Sequence, residues 1–195
     1  LFVVTIATKT AQKINQQPLN TLPGFSFVWA GNEKLVYKTV PANRNPMLEK
    51  KPAPTGPVIQ ESLGKQGASR TYQDLIKNPY DEEMFTYLTT AQLMVNDFKS
   101  EQALGTPDIY SLVSVSPDNN YILVSTVAKP FSYLVPYTRF PQRVYIMSMK
   151  GVIVKTLASN PSAEGAPIGF DDVPDYPRNF QWRADVPATI VYVQA

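Results

Sequence analysis

Hydrophobic and polar positions alternate with period two along much of this chain, and three stretches share one layout. The first runs Phe25-Ser26-Phe27-Val28-Trp29, turns at Ala30-Gly31-Asn32-Glu33, and leaves through Leu35-Val36-Tyr37. The second enters through Tyr110-Ser111-Leu112-Val113, turns at Ser116-Pro117-Asp118-Asn119-Asn120, and leaves through Tyr121-Ile122-Leu123-Val124. The third enters through Phe180-Gln181-Trp182, turns near Asp185-Val186-Pro187-Ala188, and leaves through Ile190-Val191-Tyr192. Period-two alternation around a polar turn predicts a hairpin. A small sheet repeated along a chain cannot cover its own faces and needs neighbours to stack on. The pattern therefore predicts an all-β fold, a partial β-propeller of four-stranded antiparallel blades.

The other segments fill in the blades. Phe2 to Thr8 and Ala11 to Asn15 predict an outer hairpin turning near Lys9-Thr10. Thr90 to Asp97 and Gln102-Ala103-Leu104 close the first full blade. Val144 to Met149 and Val152 to Leu157 close the second across Lys150-Gly151. The expected division is one propeller fragment over 1–195. It comprises a half blade at 1–16, a blade at 20–104, a blade at 108–157 and a half blade at 178–195.

Residues 41–88 interrupt the first blade. Pro41, Pro46, Pro52, Pro54 and Pro57 exclude helix and central strand over the first part. Thr71 and Asp74 then resemble a capping box ahead of Leu75-Ile76, with Asn78-Pro79 expected to stop that turn. Asp81-Glu82-Glu83 predicts the start of a second short helix carrying Met84, Phe85 and Leu88. A Pro-rich and short-helical insertion of this length points to a functional loop. Trp29, Trp182 and the other strand aromatics are expected to pack between blades. The second blade carries its own long connection, Lys129 to Gln142, rich in aromatic residues and Pro.

Composition narrows the chemistry. Eighteen Lys and Arg against sixteen Asp and Glu give a net charge of +2, too small and too dispersed to predict nucleic acid as a partner. Leu1 to Ala7 is too short for a membrane span. The chain has no Cys, which excludes disulfides and thiolate chemistry within it. It also has no His, which excludes a Ser–His pair. No residue pattern calls for a metal or another cofactor.

The candidate sites follow. Gly67-Ala68-Ser69-Arg70-Thr71 approaches a nucleophile elbow but lacks the second Gly, so no catalytic residue is assigned. Glu82-Glu83 reads as charge at a helix start rather than as a catalytic pair. Arg139, after Tyr133 and Tyr137 in the long aromatic loop, is the leading binding candidate, because an Arg fork can clamp a carboxylate. Interdomain packing is the competing reading of that loop. Arg70, with Tyr72 and Asp74, forms a second cluster, read either as a local cap or as an arm reaching a substrate.

Several phrases carry a resemblance. Ile59-Gln60-Glu61, Arg70 to Leu75 and Asn78-Pro79-Tyr80-Asp81 form one part. Pro130 to Pro136, Arg139-Phe140-Pro141 and Trp182 to Thr189 form the rest. Together they resemble glutamyl endopeptidase-like members of the prolyl oligopeptidase superfamily, whose acylaminoacyl and dipeptidyl peptidase relatives have similar propellers. The resemblance implies a serine peptidase in which a propeller gates oligopeptide access to an α/β-hydrolase domain. That domain would lie elsewhere in a longer parent chain, leaving this portion inactive by itself. Its partners would be a peptide substrate, through Arg139, Tyr133 and Arg70, and the hydrolase domain of the same chain. Lys129 departs from the Arg expected in the family phrase, which puts any inherited preference for acidic side chains in doubt. The family look also favours an exported bacterial protein. A non-enzymatic propeller that binds proteins is the alternative. Open sheet edges predict self-association of the chain, with the half blades at its two ends completing each other between copies.

Overall fold

The computed structural model describes residues 1–47, 49, 72–165 and 173–195. The fold is all-β, and among the described residues it comprises four antiparallel sheets. Strands β1 (Phe2–Thr5) and β2 (Thr10–Lys13) form a hairpin. Strands β3 (Phe27–Ala30), β4 (Lys34–Thr39), β5 (Ala91–Asn96) and β6 (Glu101–Asp108) make a four-stranded meander. Strands β7 (Tyr110–Val115), β8 (Tyr121–Val127), β9 (Gln142–Ser148) and β10 (Ile153–Asn160) make a second. Strands β11 (Arg178–Trp182) and β12 (Ile190–Val193) form a final hairpin. Helix α1 (Pro79–Thr89) stands in the connection between β4 and β5.

The sheets stack in chain order, and alternation along β4 shows why. Val36 faces the second meander and, with Leu93 and Leu104 of its own sheet, packs with Tyr110, Ile122, Val124 and Met147 of that one. Leu35 and Tyr37 face the other way and pack with Ile14, Val3 and Met94 against the first hairpin. Each fully buried aliphatic side chain here contributes roughly 1.5–3 kcal/mol by leaving water. Neither meander could cover two apolar faces alone, so the layers hold one another.

The three repeated turns line up along one rim. Gly31 adopts φ +64°, and a Cβ there would lie 3.1 Å from the Asn119 side chain, so the first turn needs glycine for both conformation and space. The Asp118 amide donates to the Pro187 carbonyl at 3.0 Å, joining the second turn to the third. The connections that carry α1 and residues 128–141 lie at the opposite ends of the strands.

A buried cation ties the two meanders together. Lys38 is fully buried and, among the described residues, meets no carboxylate. Its Nζ donates to the carbonyls of Leu22 at 3.1 Å, Pro23 at 2.7 Å and Tyr110 at 3.3 Å. It also sits 4.7 Å from the centre of the Phe25 ring. Burial pushes its pKa down to about 8.

Three sequence expectations are corrected. Residues 72–77 form no helix, and Asp74 sits at φ 56°, which breaks a helical turn. Asn78-Pro79 starts a helix rather than stopping one. The Asn78 side chain accepts from the Asp81 amide at 2.9 Å as N-cap, and Pro79 follows at the first turn, where its missing N–H costs nothing. Trp29 is not packed between sheets. It is 49% exposed, beside the similarly exposed Phe27.

Candidate functional site

The connection from β8 to β9 is held rigid by its own aromatics. Phe131 stacks on Phe140 with ring centres 5.2 Å apart. Phe85 of α1 meets both edge-on, at 5.1 Å and 5.9 Å. Ile109, Val127 and Val135 complete this cluster, and Tyr72 and Ile76 pack against it. The insertion of the first meander is thereby anchored to the loop of the second.

An exposed polar lock lies over this cluster. Glu82 Oε1 accepts from Lys129 Nζ at 3.0 Å, and Glu82 Oε2 accepts from the Tyr133 hydroxyl at 3.2 Å. The Lys129 hydrogen bond holds the Glu82 carboxyl below the usual carboxylate range. Lost hydration and then the Glu82 charge push the Tyr133 hydroxyl up. Acidic residues in the first turn of α1 were legible as helix charge, and the lock uses one of them to hold the loop.

Arg139 lies at the other end of the loop, closing a short 3-10 turn, Tyr137–Arg139. Its amide donates to the Pro136 carbonyl at 2.8 Å, and its guanidinium lies 5.9 Å from the centre of the Tyr72 ring. It borders a cleft of about 560 Å³ between the second meander and the last hairpin. Gln142, Asn160, Tyr176, Arg178 and Phe180 share its wall. Arg139 and Arg178 are the charged lining groups, and no carboxylate lines the cleft among the described residues. Arg178 is oriented by donating to the Pro174 carbonyl at 2.8 Å, and Asn160 by donating to the Pro177 carbonyl at 2.8 Å. Two arginine forks with neutral amide and hydroxyl neighbours can bind a carboxylate or other oxyanion.

The structure separates the residues singled out in the sequence. Arg139, with its guanidinium over the Tyr72 ring, borders the cleft. Tyr133 does not line it and is engaged by Glu82. Arg70, along with the near-elbow at Gly67 to Thr71, lies outside the described residues. Sequence reasoning missed Arg178, Asn160 and Tyr176. They stand in or beside a connector that looked irregular, and only the fold brings them to the cleft that Arg139 borders. Among the described residues, no group of three or more His, Cys, Asp or Glu is placed to hold a metal ion, and no helix is long and apolar enough to cross a membrane.

Comparison with known proteins adds a family signal. The chain is 36% identical over 171 residues to a protein of Oryza sativa subsp. japonica named "Probable glutamyl endopeptidase, chloroplastic", covering 87% of this chain and 18% of that protein. It is 35% identical over 167 residues to a protein of the same name from Arabidopsis thaliana, covering 85% of this chain and 17% of that one. The chain thus spans less than a fifth of the length of these curated relatives, and the similarity is to part of a peptidase-related protein. No protein-family model matches it, and no solved structure matches it.

Proposed function

We propose that this chain is a propeller portion of a serine peptidase of the prolyl oligopeptidase superfamily, gating oligopeptide access to an α/β-hydrolase domain of the same parent. Residues 1–16, 20–104, 108–157 and 178–195 serve as its half and whole blades. One observation carries the reading: similarity over more than four-fifths of the chain to two proteins named glutamyl endopeptidase. The stacked four-stranded sheets support it, since such sheets restrict access by shape rather than by chemistry. The chain has no His, so the nucleophile and its base belong to another part of the parent.

Arg139 is the residue proposed to meet the peptide, with Arg178 beside it in the cleft. Tyr133 acts through Glu82 by fixing the loop that presents Arg139. Arg70 remains a proposed contact from the insertion. The test uses the complete product of the gene that encodes this chain. A fluorophosphonate probe that labels active serines should label that product, and it should cleave oligopeptides but not folded proteins. Arg139→Ala should raise KM several-fold with a smaller change in kcat, because it removes ground-state binding rather than a reacting group. Absence of both labelling and peptide cleavage would overturn the reading and leave a non-enzymatic binding scaffold as the better account.

A further inference from the structure

Helix α1 is fixed to one meander at its C-terminal end and to the other along its N-terminal half. It runs directly into β5, with only Thr90 between Thr89 and Ala91. The carbonyls at a helix C-terminus have no partner within the helix and need one from outside. The buried Asn20 side chain donates to the carbonyls of Leu88 and Thr90, each at 3.0 Å. The Arg44 guanidinium donates to the Thr90 carbonyl at 2.8 Å and lies 4.9 Å from the centre of the Tyr87 ring. The Asn20 amide in turn donates to the Lys38 carbonyl of β4 at 2.9 Å. This end of α1 therefore moves with the first meander.

Glu82 and Phe85 stand three positions apart, so they share a face of the helix. That face meets the second meander. Phe85 packs on Phe131 and Phe140, and Glu82 holds Lys129 and Tyr133. The buried cluster of Val127, Phe131, Val135 and Phe140 takes part of its cover from Tyr72, Ile76 and Phe85 of the insertion. The two meanders also meet at three other places. The Gly31 turn lies against Asn119 at the turn rim. Lys38 reaches the Tyr110 carbonyl in the middle. The Gly151 turn lies against the Gly105 backbone beside β6. Helix α1 closes the remaining rim, which carries the long connections.

We propose that α1 is a bolt that makes the two meanders one rigid body, so that a peptide enters the parent protein elsewhere than between them. The route of entry rests on the peptidase reading, and the bolt rests on the contacts alone. A stack of sheets can admit a chain either by letting neighbouring sheets part or through an opening that is always present. Parting these two would strip Phe85 from two buried rings, break both hydrogen bonds of Glu82 and pull the Lys38 ammonium from the Tyr110 carbonyl together. Packed interfaces of this kind are held or released as a unit and do not stretch by degrees. The loop that bears Arg139 is thereby kept in place from the neighbouring sheet.

The complete product of the gene that encodes this chain provides the test. In hydrogen exchange followed by mass spectrometry, Phe85→Ala should accelerate residues 79–89 and residues 129–141 together, by about tenfold or more. Residues 116–120, at the opposite rim, should be unchanged. Phe85→Leu should accelerate the same two segments by a smaller factor, which keeps the measurement decisive if Phe85→Ala does not fold. Acceleration confined to 79–89, or absent from both segments, would overturn the bolt. The second measurement fastens the junction instead of loosening it. Glu82→Cys and Lys129→Cys in one chain are bridged by a short bismaleimide, with the unsubstituted product treated in parallel to account for thiols elsewhere in the parent. Bridging should not lower kcat/KM for an oligopeptide relative to the same variant unbridged by more than about threefold. A larger fall would show that the two meanders part during turnover and would overturn the proposed route. A product that cleaves no peptide would defeat the peptidase reading, and the exchange result would still decide the bolt.

Discussion

Phe85 of α1 stands edge-on to Phe131, with ring centres 5.1 Å apart and planes at 84°. This contact joins the insertion of one meander to the long loop of the next. Its partners Phe131 and Phe140 are buried, while Phe85 itself is half-buried. Phe85→Ala should therefore cost less than a fully buried Phe→Ala change, about 2 kcal/mol in a urea titration. Phe85→Leu should recover part of that loss. A change within the error of the titration would mean that α1 is not anchored through this ring.

The close approach of Gly151 to Gly105 yields a sharper stability prediction. Gly151 turns the β9-β10 hairpin at φ +80°, and a Cβ there would lie 2.6 Å from the Gly105 amide nitrogen and 3.0 Å from Leu104 Cα. Both obstacles are backbone, so no side chain can swing away. Gly151→Ala should destabilise the chain by at least about 2 kcal/mol, the left-handed conformation and the clash acting together. Gly24→Ala, whose nearest obstacle is the Ser111 carbonyl at 3.6 Å, should cost less. Thermal denaturation of the two variants side by side checks the order.

Much of the strand order was legible because period two needs only the sequence. Val36 against Leu35 and Tyr37, and Trp182 near the third turn, follow from alternation alone. The helix start was misread because Asn78-Pro79 serves equally as a stop and as an N-cap with Pro after it. Only the Asp81 amide bonded to Asn78 decides between them. Trp29 was expected inside because aromatic strands commonly pack between sheets. Its exposure follows from the first hairpin packing on Leu35 and Tyr37 rather than on β3, which no local pattern encodes. The cleft was half legible: Arg139 stood out in its aromatic loop, but Arg178 is 39 positions away in sequence and becomes its neighbour only through the fold.

The Glu82 lock predicts a titration rather than a large energy. Its carboxyl is held low by Lys129 and then by Tyr133. A group with a depressed folded pKa favours the folded state above its unfolded pKa, and that contribution fades as pH falls through the folded value. Carbon-detected NMR should show Glu82 titrating below the ordinary carboxylate range. Lys129→Met should move Glu82 back toward the ordinary range, and Tyr133→Phe should move it less. Both groups are exposed, so the melting temperature at neutral pH should scarcely change.

Lys38 gives the chain a pH profile of unusual sign. Its folded pKa of about 8 lies below its ordinary 10.5 because burial disfavours the ammonium. Between these values the unfolded chain binds a proton that the folded chain releases, so stability should rise with pH from about 8. Tyrosines reverse the trend. Burial pushes Tyr145 up to about 12 and raises Tyr37 and Tyr110 as well. Unfolded tyrosines ionise near pH 10 while these three stay protonated, so stability should fall above that point. The expected urea midpoint therefore climbs from pH 8, peaks between about pH 9 and 10, and drops beyond. Lys38→Met should remove the climb and keep the drop. It should also lower stability at pH 7 by about 1–3 kcal/mol, because the carbonyls of Leu22, Pro23 and Tyr110 lose their donor. A wild-type midpoint that stays flat from pH 8 to 10 would mean that the three carbonyls and the Phe25 ring hold the ammonium charged against the cost of burial.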